Sequence, residues 1–165
     1  MDTLLVNMKL LGYIDNDLTP LAEYVEVASE ATGVPVPINY PVFGKDAFRT
    51  ATGVHAAAII KAKKKGDDWL ADRVYSGVPA GMVGMRQQIE IGFMSGVSNI
   101  VYWLHEHGIE PNDHLVEEIF RAAKERNRVL SDDEVLEICK FTAAEAGQPL
   151  HLDTLGAWKK EVEGV

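Results

Sequence analysis

The amino-acid sequence predicts a mainly α-helical protein, built of small helical subdomains with one short β element. Apolar residues recur at helical spacing along most of the chain, whereas strand-like alternation is confined to one short stretch. The hydrophobic fraction, 47%, is enough for a core. The length of 165 residues falls short of the roughly 250 that a (β/α)₈ barrel needs, so we expect no TIM barrel in this chain.

The sequence pattern in the first part of the chain predicts two helices followed by a connector. Gly12 ends the first helix, and Thr19 is expected to cap the second, with Pro20 at its first helical position. This second helix continues to Gly33. Three prolines within residues 34–41 then predict an extended, rigid connector. The first helix is indicated by apolar residues at i, i+1, i+4 and i+7: Leu4, Leu5, Met8 and Leu11.

The middle of the chain is less regular. The pattern of residues 45–65 predicts a further helix, which is interrupted near Gly53. Glycines are frequent in residues 67–96, where we expect the least regular structure. Within that region residues 88–91 alternate as a short strand does, and residues 73–75 are a candidate for another.

Three helices are predicted toward the end of the chain. The first covers about residues 98–107, and the second begins after Pro111. The third begins with a capping box, because Ser131 stands three residues before Glu134.

These patterns divide the chain into three parts. Residues 1–93 are expected to form a linker and a first subdomain, and residues 94–147 a second helical subdomain. Residues 148–165 are expected to be a C-terminal tail, since their periodicity is weak.

Charge and composition limit the partners of the chain. A net charge of −9 repels phosphate backbones, so we expect no nucleic-acid partner. The sequence has no run of about 18 apolar residues and no signal-peptide pattern at its start, so we expect a cytoplasmic protein without a membrane contact. The single cysteine, Cys139, stands among apolar residues at helical spacing and is expected to be a buried structural thiol.

Two clusters have a structural and a functional interpretation. His105 and His107 point about 200° apart on a helix, so we expect solvated side chains rather than a metal site. The lysines of the basic cluster suit the end of a solvated helix, or alternatively the binding of a phosphorylated ligand. They are Lys61, Lys63, Lys64 and Lys65.

Two further residues are candidates for a site. His55 follows Gly53 and precedes three alanines, so its small neighbours would let a ligand approach closely, although a core or surface histidine fits as well. Tyr75 lies in the glycine-rich region, where its phenol would donate a hydrogen bond or serve only in packing.

Three segments of the chain carry a family resemblance. Residues 48–55, Phe-Arg-Thr-Ala-Thr-Gly-Val-His, resemble the Phe-x-x-x-Ser/Ala-Gly-Ile-His segment of the 2-isopropylmalate synthase family, which includes homocitrate and citramalate synthases. Residues 84–99 are similar to the family's Gly-Arg-x-x-x-x-Leu-Gly-x-x-Ser-Gly-x-x-Asn pattern, with Met85 in place of the arginine. Residues 2–7 resemble the segment that leaves the family's catalytic barrel. The resemblance covers about residues 2–146.

The resemblance implies that the chain is the C-terminal, post-barrel region of such a synthase. In this family the enol of acetyl-CoA attacks a metal-bound 2-oxo acid, and the thioester is then hydrolysed. By motif, His55 matches a histidine that acts near acetyl-CoA, and Tyr75 matches a tyrosine that hydrogen-bonds nearby. Val74 matches a residue that touches the 2-oxo acid side chain.

The resemblance also implies the partners of the chain. We expect no cofactor in this chain and a divalent metal on the missing barrel, which would be part of the same polypeptide or a separate subunit. Acetyl-CoA, a 2-oxo acid and a second copy in a homodimer are the other expected partners. Two functions follow as hypotheses. The first is part of an acyltransferase of amino-acid biosynthesis, such as leucine biosynthesis, which supplies lid residues over the active site of the barrel and is inactive without that barrel. The second is a non-catalytic helical regulatory or interaction module that shares the fold.

Overall fold

The computed structural model describes residues 1–145 and 147, of which 53% are helical, and this confirms the mainly α fold class. No (β/α)₈ barrel is present in the described residues. The predicted tail, residues 148–165, lies outside them. The helices are α1 (Asp2–Leu10), α2 (Leu21–Thr32), α3 (Gly53–Lys64), α4 (Asp68–Ala71), a 3₁₀ helix (Ala80–Val83), α5 (Val97–Glu106), α6 (Asp113–Glu125) and α7 (Asp132–Glu145).

The β element is a pair of short parallel strands, β1 (Arg49–Thr50) and β2 (Gln88–Ile89). The N–H of Gln88 donates to the carbonyl oxygen of Phe48 at 2.8 Å. The strand predicted over residues 88–91 is therefore confirmed at its first two residues.

Two compact units make up the described chain. Unit 1 comprises residues 1–50 and 58–88, and unit 2 comprises residues 51–57 and the chain from Ile89 onward. The subdomain boundary expected between residues 93 and 94 stays a prediction.

Unit 1 has a small apolar core drawn from several short elements. Helix α1 contributes Val6, which is 1% exposed. The predicted cap of α2 is wrong by one position, because Pro20 is the N-cap and the N–H of Thr19 donates to the Asp17 carboxylate. Gly33 ends α2 in the left-handed conformation, as expected. The core consists of Val6, Leu18, Phe43, Phe48, Ala80 and Val83.

The helix predicted from residue 45 is wrong for its first part. Residues 45–48 form turns and lead into β1, and helix α3 begins only at Gly53. The cause is a long-range one, since Phe48 is buried in the core of unit 1 and its carbonyl accepts from Gln88. The local propensity of residues 45–48 carries no information about that long-range pairing.

The candidate strand at residues 73–75 is also wrong. The N–H groups of Arg73 and Val74 donate to the carbonyl of Leu70, at 3.0 and 2.9 Å. The chain therefore continues as a turn from the last residues of α4, and these donors are not available to a neighbouring strand.

Unit 2 is a three-helix cluster in which α6 packs against both α5 and α7. The predicted capping box is confirmed, because the N–H of Glu134 donates to the Ser131 hydroxyl and the N–H of Ser131 donates to the Glu134 carboxylate. Asn112 caps α6 by accepting from the N–H of Leu115 at 2.9 Å. The core consists of Ile91, Ile100, Trp103, Leu104, Ile109, Leu115, Ile119, Ala123, Leu130, Val135 and Cys139.

Cys139 lies inside this core with no exposed surface, which confirms the predicted buried thiol. Burial raises the pKa of the thiol to about 11, so it stays protonated at neutral pH. Within the described residues no helix has the length and apolar character to span a membrane.

The prediction that His107 is solvated is wrong. Its imidazole is 5% exposed and stacks on the Trp103 indole, with ring centroids 3.6 Å apart. Nδ1 lies 2.7 Å from the carbonyl oxygen of Trp103, so Nδ1 carries the proton in this contact. The Trp103 indole N–H in turn donates to Asp132 at 3.0 Å. His105 is exposed, as expected.

We expect the stability of the chain to fall as the pH drops from 7.5 toward 5.5. Burial lowers the pKa of His107 from its ordinary value, despite the opposing Trp103 carbonyl and the Asp132 and Glu106 charges. The unfolded chain therefore binds a proton at a pH where the folded chain resists it, and unfolding is favoured. Urea unfolding at several pH values measures the slope. His107→Phe should reduce it, whereas His105→Gln should leave it unchanged, and equal slopes in all three proteins would contradict the assignment.

Candidate functional site

His55 lies in the first turn of α3, in a half-buried position. The turn closes normally, because the N–H of Ala56 donates to the carbonyl of Thr52 at 3.0 Å. The positive end of the helix dipole at this terminus favours negative charge close by. An imidazole ring has one nitrogen that can accept a proton from a ligand and one that can donate a proton to it.

The backbone just before His55 is held against another segment of unit 2. The N–H of Gly53 donates to the carbonyl of Met94 at 3.0 Å. A Cβ placed on Gly53 would stand 2.8 Å from the backbone nitrogen of Gly96. The glycine before His55 is therefore required by the close approach of two backbones.

Two polar side chains that the sequence reasoning left without a role are buried beside this contact. Ser95 is 3% exposed and Asn99 has no exposed surface, and both donate to the carbonyl of Ala51. A signal for Asn99 exists in the sequence. Asn99 lies on the same helical stripe as the apolar Trp103, four residues later, which predicts an inward-facing polar side chain.

Tyr75 lies in unit 1, on the wall of a cavity of about 500 Å³ whose lining residues all belong to that unit. The tyrosine is 50% exposed. Val74 is half-buried and is not among the lining residues in the described chain. The other residues that line the cavity are Asn39, Tyr40, Pro41, Val42, Asp46, Ala47, Phe48, Ser76, Gly77 and Val78.

One wall of this cavity is a tight turn. Val42 has a φ of 69°, which is unusual for a β-branched residue, and the N–H of Phe43 donates to the carbonyl of Pro41 at 2.8 Å across it. The next residue, Gly44, approaches Tyr40 so closely that a Cβ would lie 2.5 Å from its backbone. The shape of the cavity therefore depends on a strained backbone conformation.

The predicted site residues are thus divided between the two units. His55 belongs to unit 2, and Val74 and Tyr75 belong to unit 1. Their roles stay predictions.

The basic cluster lies at the C-terminal end of α3. Lys61, Lys64 and Lys65 are exposed and Lys63 is half-buried. Cations suit the negative end of the helix dipole, and both interpretations of the cluster, solvated helix end and phosphate-binding surface, stay open.

Among the residues that the structure describes, no three His, Cys, Asp or Glu side chains converge to hold a metal ion. We assign no step to a metal on the described residues.

Three proteins to which the chain is similar are a homocitrate, a citramalate and a 2-isopropylmalate synthase. The chain is 32% identical to a homocitrate synthase of Methanopyrus kandleri over 123 residues, 73% of this chain and 29% of that protein. It is 33% identical to an (R)-citramalate synthase of Aquifex aeolicus over 94 residues, 57% of this chain and 16% of that protein. It is 32% identical to a 2-isopropylmalate synthase of Sulfurisphaera tokodaii over 117 residues, 70% of this chain and 28% of that protein. No protein-family model matches the chain.

The chain spans less than a third of the length of each of these relatives. It belongs to the family of 2-isopropylmalate, homocitrate and citramalate synthases and corresponds to their C-terminal region.

Proposed function

We propose that this chain works as the C-terminal part of a synthase that condenses acetyl-CoA with a 2-oxo acid. It would supply side chains over the active site of a catalytic barrel, which lies on the same polypeptide or on a separate subunit. The observation that carries the proposal is the Gly-Val-His segment at the start of α3, held by backbone contacts that only glycine permits, in a chain of this family.

In the proposed reaction the methyl carbon of acetyl-CoA loses a proton, and the resulting enol attacks the carbonyl carbon of the 2-oxo acid. Water then cleaves the thioester and releases CoA. We assign to His55 the movement of a proton near the acetyl-CoA, because an imidazole ring can both accept and donate a proton as a general base and acid. We assign to Tyr75 a hydrogen bond from its phenol to the reacting groups, and to Val74 a contact with the 2-oxo acid side chain. The divalent metal would belong to the barrel.

The proposal is tested by assembling the complete enzyme. The chain is produced with the barrel portion of a matching synthase, and CoA release from acetyl-CoA is measured with pyruvate, 2-oxoisovalerate and 2-oxoglutarate in turn. We expect release with one of these acids and none from the chain alone. If the chain binds the barrel but no acid supports release, the chain is a regulatory or interaction module rather than part of the catalytic machinery.

We expect Tyr75→Phe to lower the kcat of the complete enzyme by roughly 10- to 100-fold while the chain stays folded, because the change removes only a hydroxyl from a half-exposed side chain. Steady-state kinetics and a thermal melt measure the two effects. Tyr13→Phe is the matched control, since Tyr13 is 75% exposed and is not among the cavity lining. Unchanged turnover in Tyr75→Phe would show that another residue has the assigned role.

A further inference from the structure

Ser95 makes hydrogen bonds to three backbone groups from a buried position. Its Oγ accepts from the N–H of Gly92 at 2.8 Å and donates to the carbonyl of Ala51 at 2.7 Å. The carbonyl of Glu90 lies 3.3 Å away as a second, weaker acceptor. A hydroxyl has one proton, so the short contact to Ala51 is its principal donation.

Asn99 completes the same arrangement from the first turn of α5. Its Oδ1 accepts from the N–H of Gly96 at 3.2 Å, which caps the helix. Its Nδ2 donates to the carbonyl of Glu90 at 3.0 Å and lies 3.4 Å from the carbonyl of Ala51. The Ala51 carbonyl therefore receives hydrogen bonds from two buried side chains.

The segment that carries Ser95 is itself fixed. The ammonium group of Lys124, on α6, donates to the carbonyls of Phe93 and Ser95 at 2.6 and 2.9 Å. Lys124 thus connects α6, a helix of the unit 2 core, to the segment at residues 92–96.

Three contacts of this region act on the few residues that precede His55: those of Ser95 and Asn99 to Ala51, and that of Gly53 to Met94. Ala51 stands four residues before His55, and Gly53, which donates to Met94, stands two before it. Since peptide units are planar and α3 starts at Gly53, fixing the backbone at Ala51 and Gly53 leaves little freedom in where the first turn of α3 lies.

Burying a hydroxyl and an amide costs free energy unless their hydrogen bonds are made, and here both side chains bond several backbone groups. Two of these hydrogen bonds, one from each side chain, go to the same carbonyl at the entrance to the helix of His55.

We propose that Ser95 and Asn99 are positioning residues for His55, acting through the carbonyl of Ala51. The inference rests on the proposed function, in which His55 moves a proton and its position therefore affects turnover. Ser95 and Asn99 themselves need touch no substrate. They determine where the imidazole stands when a ligand arrives, and a displacement of about 1 Å lowers turnover by up to about 10²-fold.

The test uses the complete enzyme with four single variants, Ser95→Ala, Ser95→Thr, Asn99→Ala and His55→Ala, and the double variant Ser95→Ala with His55→Ala. We expect Ser95→Ala and Asn99→Ala to lower kcat by about 10- to 100-fold, and Ser95→Thr, which keeps the hydroxyl, to restore most of it. The double variant should be no slower than His55→Ala alone, because Ser95 acts only through the histidine. Ser98→Ala removes a hydroxyl from the same helical turn and is the control.

Amide hydrogen exchange on the chain distinguishes positioning from unfolding. In Ser95→Ala the N–H of Gly53 should exchange faster, while the amides of α6 and α7 keep their protection. Loss of protection throughout unit 2 would make Ser95 a structural residue and overturn the inference. So would additive losses in the double variant, or full turnover in Ser95→Ala when His55→Ala is inactive. If His55→Ala itself keeps full turnover, the proposed function of His55 is wrong and the positioning role is overturned with it.

Discussion

Replacing His55 by alanine should lower the kcat of the complete synthase by roughly 10²–10⁴, which is the usual effect of removing a positioned acid or base. The reason is that the imidazole lies in the first turn of α3 and is the group to which we assign proton movement near acetyl-CoA. CoA release at saturating substrate measures kcat, and its dependence on the concentration of the 2-oxo acid gives KM.

Val54→Ala is the matched control for this change. Val54 is the neighbouring residue in the same helical turn and is 65% exposed, so its truncation should leave both constants close to those of the parent enzyme. A rise in KM for the 2-oxo acid with kcat intact in His55→Ala would instead make His55 a binding residue.

Gly53→Ala should be the second most damaging substitution, with a loss of turnover of about 10²-fold and a lower melting temperature. A Cβ on residue 53 would stand 2.8 Å from the nitrogen of Gly96 and 3.4 Å from the carbonyl oxygen of Met94. Both neighbours are backbone atoms, so relief requires the two segments to separate, which moves His55.

Gly77→Ala separates this effect from the general cost of changing a glycine. A Cβ on Gly77 meets nothing within 4 Å in the described chain, so this variant should melt at the parent temperature. Thermal melts and CoA release on both variants decide the matter. A Gly53→Ala enzyme with parental activity and stability would mean that the two backbones separate without consequence for the site.

The helices of unit 2 were predictable from the sequence because their signals are local. The capping box at Ser131 and Glu134 and the stripe Leu115, Ile119 and Ala123 are read within one or two helical turns. Such elements need no knowledge of the partner surface to be placed.

One error arose where distant residues decide the structure. Residues 45–52 were predicted as helix, yet the burial of Phe48 and its bond to Gln88, forty residues away, make that region turns and a strand. His107, in contrast, was predicted to be solvated together with His105, because the two point about 200° apart on a helix. Its place on the stripe of Ile100, Trp103 and Leu104, at spacings of seven, four and three residues, is the signal that indicates burial.

The candidate site was accessible to the sequence only in part. His55 and Tyr75 are suggested by motif. The positioning role of Ser95 and Asn99, however, depends on their hydrogen bonds to a carbonyl that lies more than forty residues earlier in the chain. Hydrogen bonds from side chains to a remote backbone leave no periodic pattern, so a single sequence cannot assign them.

The buried thiol of Cys139 can serve as a chemical probe for the local opening of α7. The chain has one cysteine, and it lies on α7 with no exposed surface. An alkylating reagent can react only when α7 separates from its neighbours, so the labelling rate measures the population of that open form. Because the natural sequence already has the probe, the effect of a bound barrel or substrate on unit 2 can be followed without altering a single residue.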